Sequence, residues 1–171
     1  MKITKQEKQE IRKIVDELFG ISKNNRVVKK KYYQNGQLMA KGTFKNGKPD
    51  GMFEEFYENG QIKQRCSWKN GKENGLCQHW FENGNLERRV NSKNDKLNGL
   101  YEAWYENGNI MFRTNYKNDK EDGMFEYFNK EGKLCVRLNY KDGVKEGLCE
   151  KFDENGNLIE SINYKNDMPI D

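Results

Sequence analysis

The chain has 171 residues, 34% of them apolar and 34% charged, with 31 Lys and Arg against 27 Asp and Glu. A formal charge of +4 is too balanced for a dedicated nucleic-acid binder, and no apolar run approaches the ~18 residues of a membrane-spanning helix. Such polarity borders on that of disordered chains, but the regular spacing of nine Phe, nine Tyr and three Trp argues for an ordered fold.

The N-terminal segment stands apart. Residues 1–31 carry ten basic residues against four acidic ones, so the remainder is slightly acidic. Thr4-Lys5-Gln6-Glu7 has the form of a capping box, in which hydroxyl and carboxylate satisfy orphan backbone N–H groups. Ile11, Ile14, Val15, Leu18 and Phe19 then make one helical stripe, and Gly20 suits a C-cap. Residues 1–26 are therefore expected to form an amphipathic helix and linker. The helix would cap the exposed end of the chain's repetitive region or, alternatively, bind a partner. No apolar signal-peptide core is visible, which leads to the expectation of a cytoplasmic protein.

From residue 27 the sequence repeats every 24 residues without insertion or deletion. Gly36, Gly60, Gly84, Gly108, Gly132 and Gly156 mark the period, as do Gly51, Gly75, Gly99, Gly123 and Gly147. The units are 27–50, 51–74, 75–98, 99–122, 123–146 and 147–170. A strict period of this length signals a stacked array in which each unit buries its apolar face against its neighbours.

Each unit reads as a β-hairpin. In the second, Met52–Tyr57 is an aromatic-rich strand, Glu58-Asn59-Gly60 a turn, Gln61–Lys69 the return strand, and Asn70-Gly71 the start of the next connection. Numbering positions from the start of each unit, position 6 holds Tyr32, Phe56, Trp80, Trp104, Phe128 and Phe152. Position 12 holds Leu38, Ile62, Leu86, Ile110, Leu134 and Leu158. A three-residue loop ending in a left-handed glycine pairs position 6 with 12 and position 2 with 16, uniting these apolar columns on one face. The fold class expected is an all-β repeat protein: an open, twisted antiparallel meander of six hairpins, or twelve strands, with an N-terminal capping helix. Met168-Pro169 at the end of the last unit suits a terminus that discourages further pairing.

The same register places position 3 opposite position 15 on the second face, with position 7 beside them. Tyr57, Phe81 and Tyr105 at position 7, with Arg65, Arg89 and Arg113 at position 15, are then the candidate partner-binding patch. Catalysis finds no support. Recurrent carboxylates such as Glu54, Glu102 and Glu126 belong to the repeat, and His79 occupies a variable position expected to be solvated. Cys66, Cys77, Cys135 and Cys149 form no Cys-x-x-Cys pair, so free thiols, no metal site and no cofactor are expected.

The pattern Asp50-Gly51 through Asn59-Gly60 and Ile62, closing with Trp68-Lys69-Asn70-Gly71, resembles the bacterial variant of the MORN repeat. It recurs from Asn98-Gly99 through Ile110 to Tyr116-Lys117-Asn118-Asp119. The resemblance covers residues 27–170; Ser92 in place of the closing aromatic and Asn129-Lys130-Glu131 at one tip depart from it. It implies a non-enzymatic protein-binding or scaffold role, with the antitoxin component of a toxin–antitoxin module as the specific case and a toxin as its protein partner. The alternative it implies is peripheral contact with anionic phospholipid, for which Arg26, Lys29, Lys30 and Lys31 are the candidates.

Overall fold

The computed structural model describes residues 26–170, together with Gln9 and Ile14. The helix expected within residues 1–26 lies outside the described residues, apart from those two isolated positions. The rest is a single antiparallel sheet. Its strands are β1 (Val27–Tyr32), β2 (Leu38–Lys45), β3 (Lys48–Phe56), β4 (Ile62–Lys69), β5 (Lys72–Trp80), β6 (Leu86–Lys93) and β7 (Lys96–Trp104). They continue as β8 (Ile110–Lys117), β9 (Lys120–Glu121), β10 (Gly123–Phe128), β11 (Leu134–Lys141), β12 (Val144–Phe152), β13 (Leu158–Lys165) and β14 (Met168–Ile170). Every strand pairs with its neighbours in sequence, with β9 and β10 sharing β8 as partner. The last segment departs from expectation. Met168–Ile170 adds a strand against β13, and Pro169 falls opposite Tyr164.

Two turn types alternate, each set by its residues. The hairpin tips are three-residue loops: the Tyr57 N–H donates to the Gln61 carbonyl at 2.8 Å and the Gly60 N–H to the Tyr57 carbonyl at 2.9 Å. Gly60 sits at φ 87°, as a glycine bulge requires, and the Gln61 N–H donates to Asn59 Oδ1. Between hairpins lie two-residue turns with both φ values positive, such as Asn46 (51°) and Gly47 (73°). Three of these turns carry Asp instead of Gly. Asp95, Asp119 and Asp167 accept the backbone N–H of Glu73, Leu97 and Lys145, each in the strand that leaves the preceding turn, at 2.7–2.9 Å. Before Gly71 the corresponding residue is Pro49, which has no N–H to offer.

Position 6 pairs with position 12 as expected, for example Phe56 with Ile62. Beyond that pair the register differs. Glu55 faces Gln64, leaving Lys63 as an unpaired bulge residue, so position 3 meets position 16 rather than position 15. The same slip occurs in all six hairpins. Phe53, Cys77 and Tyr101 therefore lie on the buried, inner face, together with Cys66, Val90, Trp68 and Tyr116. On that face the rings of Tyr101, Phe112, Phe125 and Tyr140 follow one another at centroid spacings of 5.1–6.3 Å. Position 2 points to the opposite, outer face and is exposed in every unit but that of the half-buried Leu100.

Adjacent residues thus have opposite fates: Phe53 is 2% exposed and Met52 45%. Urea unfolding of single variants checks the assignment. Phe53→Ala is expected to cost about 3–5 kcal/mol and Met52→Ala within about 0.5 kcal/mol of zero. Equal losses at the two positions would return the register to the unbulged form.

Candidate functional site

Three parallel rows run across the outer face. The first is position 2, where Val28, Met52, Leu76, Met124 and Leu148 are exposed, alternating with Thr43, Ser67 and then Asn at position 17. The second row is ionic. Positions 4 and 15 alternate as Lys41, Glu54, Arg65, Gln78, Arg89, Glu102, Arg113, Glu126, Arg137 and Glu150. Glu54 is held by Lys41 at 2.7 Å and Arg65 at 2.9 Å, and Glu126 by Arg113 and Arg137. Arg89 pairs with Glu102. Burial pushes the Glu54 and Glu126 carboxyls up, but the basic groups outweigh it, so both lie below the ordinary carboxylate range.

The third row is aromatic and half-buried. Four basic residues of the ionic row lie over the position-6 ring of the next hairpin: Lys41 over Phe56, Arg65 over Trp80, Arg89 over Trp104 and Arg113 over Phe128, at 5.6–5.9 Å. The exposed guanidinium groups thus face a carboxylate on one side and a ring on the other.

This arrangement separates the residues expected to form a patch. Arg65, Arg89 and Arg113 lie on the outer face, whereas Tyr57, Phe81 and Tyr105 lie at the hairpin tips with the parity of the inner face. Lys63 shows the difference: it bonds Glu55 of the inner face and lies 6.0 Å from the Tyr57 ring centroid. The tip tyrosines are structural ties. Tyr33, Tyr57 and Tyr105 donate their hydroxyls to the Phe56, Trp80 and Phe128 carbonyls of the following hairpin at 2.7–2.9 Å. Burial raises the pKa of all three, that of Tyr105 to about 12. Of the basic N-terminal group, Lys29 lies 5.4 Å from the Phe44 ring centroid, and Arg26, Lys30 and Lys31 are exposed. Strand alternation puts Lys30 and Lys31 on opposite faces of β1.

The inner face overturns two expectations. His79 is 8% exposed rather than solvated, with Nε2 3.4 Å from Cys77 Sγ. Cys77 in turn faces Cys66 across β4 and β5 with Cα atoms 4.0 Å apart, and the two are joined by a disulfide; Cys135 and Cys149 are free. Sequence spacing could not show this pair, because the register joining β4 to β5 shifts between Cys66 and Trp68.

A sheet in which each hairpin contacts only the next is a linear repeat protein. The chain belongs to the MORN repeat variant family, whose repeat matches at 28–46, 49–70, 73–94, 97–118, 121–142 and 145–166. MORN repeats generally act as protein- or membrane-binding motifs. No curated protein matches the chain at a significant level.

Burial, followed by the positive charges of Arg88 and Lys63, lowers the His79 pKa from 6.5 to about 3. Between those values the unfolded chain binds a proton that the folded chain does not, so this residue's contribution is present above about pH 6.5 and is lost as pH falls. The expected loss is about 1.4 kcal/mol per pH unit. Urea midpoints at pH 7 and pH 5 for the wild type and His79→Gln isolate it: the wild type should lose more stability on acidification. Parallel losses would mean that the imidazole is not shielded.

Proposed function

We propose that this is a non-enzymatic scaffold that receives a protein partner along its outer face. One observation carries the reading: a row of exposed Met, Leu and Val side chains runs the length of the sheet, flanked by ion-paired arginines that lie over aromatic rings. Exposed apolar rows bordered by polar groups are typical of protein contact sites, and aromatic and Arg residues concentrate interface energy. A non-catalytic role is supported by the state of the acid–base candidates. Glu54, Glu102 and Glu126 are held in ion pairs, and His79 is buried and neutral at pH 7. The finer form of the proposal is that the partner is a toxin this protein neutralises in the cytoplasm.

Membrane contact is the second reading, favoured by the clustered positive charge of Arg26, Lys29, Lys30 and Lys31 at the sheet edge. The ionic row contributes little to it, since Arg65, Arg89 and Arg113 already face carboxylates or rings. Nucleic acid is disfavoured by the same neutrality.

Affinity capture from the native cell, followed by titration with the purified partner, tests the proposal. Leu76→Asp and Met124→Asp should leave unfolding unchanged and weaken binding by about tenfold or more each. Phe81→Ser, away from the rows, should bind as the wild type does. Unchanged binding by both Asp variants would overturn the outer-face assignment. Co-sedimentation with anionic vesicles at ~0.15 M salt, lost on neutralising Lys29, Lys30 and Lys31, would favour the membrane instead.

A further inference from the structure

Neither the repeat nor the outer face accounts for the inner-face cluster of Cys66 on β4 with Cys77 and His79 on β5. Their donor atoms all lie within 4.8 Å of one another, and all three side chains are buried. The convergence has a simple origin. Cys66 and Cys77 are facing partners across two strands, and His79, two residues further along β5, shares their face. Among the described residues no other hairpin junction repeats it: the corresponding cross-strand pairs include Gly42 with Phe53, Val90 with Tyr101 and Leu138 with Cys149.

We propose that, when the disulfide is reduced, Cys66, Cys77 and His79 bind Zn2+ through two thiolates and one imidazole. Thiolate and imidazole are the donors this ion prefers, and three protein donors leave a fourth position for water. The surrounding charge favours this donor set. Arg88 lies opposite His79 on β6, and Lys63, ion-paired with Glu55, is near on β4, so anionic thiolates suit a dication here better than neutral donors alone. Two thiolates cancel the charge of the ion, and the loaded site is neutral.

The opening step is thiol–disulfide exchange with a low-molecular-weight thiol of the glutathione class, which reaches the buried bond when β4 and β5 open locally. The Cys66–Cys77 bond accepts two electrons, and two reductant thiols supply them and two protons and leave as their own disulfide. Zn2+ then replaces the two thiol protons. Oxidation closes the site by consuming both sulfur donors.

Titration of the full chain with Co2+, the spectroscopic substitute for Zn2+, tests the proposal on reduced and oxidised protein, with circular dichroism to confirm folding. The reduced form should show the ultraviolet thiolate-to-cobalt band and visible d–d bands at one equivalent, bleached by Zn2+; the oxidised form should show neither. Cys66→Ser and Cys77→Ser should remove the bands. Replacing both Cys135 and Cys149 by Ser should retain them. His79→Gln should weaken metal affinity by more than about tenfold, the least that loss of a supporting contact costs. No band from the folded, reduced wild type would overturn the site, as would bands that survive Cys66→Ser and Cys77→Ser. Unchanged affinity in His79→Gln would overturn the assignment of the imidazole.

Discussion

In every hairpin one residue of the second strand has no partner on the first: Met39, Lys63, Glu87, Met111, Cys135 and Ile159. Because side chains alternate along a strand, one extra residue changes the face of everything that pairs beyond it. The bulge puts position 3 against position 16 and so builds the inner face, and it leaves positions 4 and 15 as direct neighbours on the other side. A missing ladder pair costs on the order of 1 kcal/mol. Burying the ring of Phe53 contributes about 3 kcal/mol, which settles the preference for the bulged register.

Contacts between hairpins recur along the array, though not in every unit. A tip tyrosine reaches the carbonyl of the next hairpin, a tight turn stacks on the one before it, and a carboxylate of the ionic row is shared between neighbouring basic groups. These interactions are short-range, so each unit stabilises mainly its neighbours. The inner face is most closed from Ala40 to Tyr116 and opens toward β13, where Ile162 and Tyr164 are only half-buried.

Period, turn type and the pairing of position 6 with 12 were legible because each depends on a residue with a distinctive backbone preference. Gly60 and Asn46-Gly47 announce positive φ directly. The bulge announces nothing. Lys, Glu, Met, Cys and Ile all occupy it, because an unpaired, half-exposed position makes no common demand on its side chain. The pairing beyond that missing signal was misplaced by one residue, and with it the grouping of Tyr57 with Arg65; His79 was read as solvated because its repeat position is variable. The Cys66–Cys77 contact was hidden by a second irregularity, the register shift between Cys66 and Trp68 where β4 meets β5. Eleven residues of separation carry no meaning until the register that joins two neighbouring hairpins is known. The Asp-for-Gly exchanges were visible, but their purpose was not, since the N–H that each Asp accepts belongs to another unit.

The disulfide also gives the sheet a mechanical polarity. The ends of the described array lie at opposite edges, so tension applied through β1 and β14 pulls across the strands and loads the ladder bonds in succession rather than together. Such a sheet peels from its edges one hairpin at a time. Peeling that reaches the junction of β4 and β5 meets a covalent bond instead of a hydrogen bond. With the bond closed, the segment from Cys66 to Cys77 cannot extend. With it open, the array yields along its whole length, so its oxidation state determines how far the protein can lengthen under load.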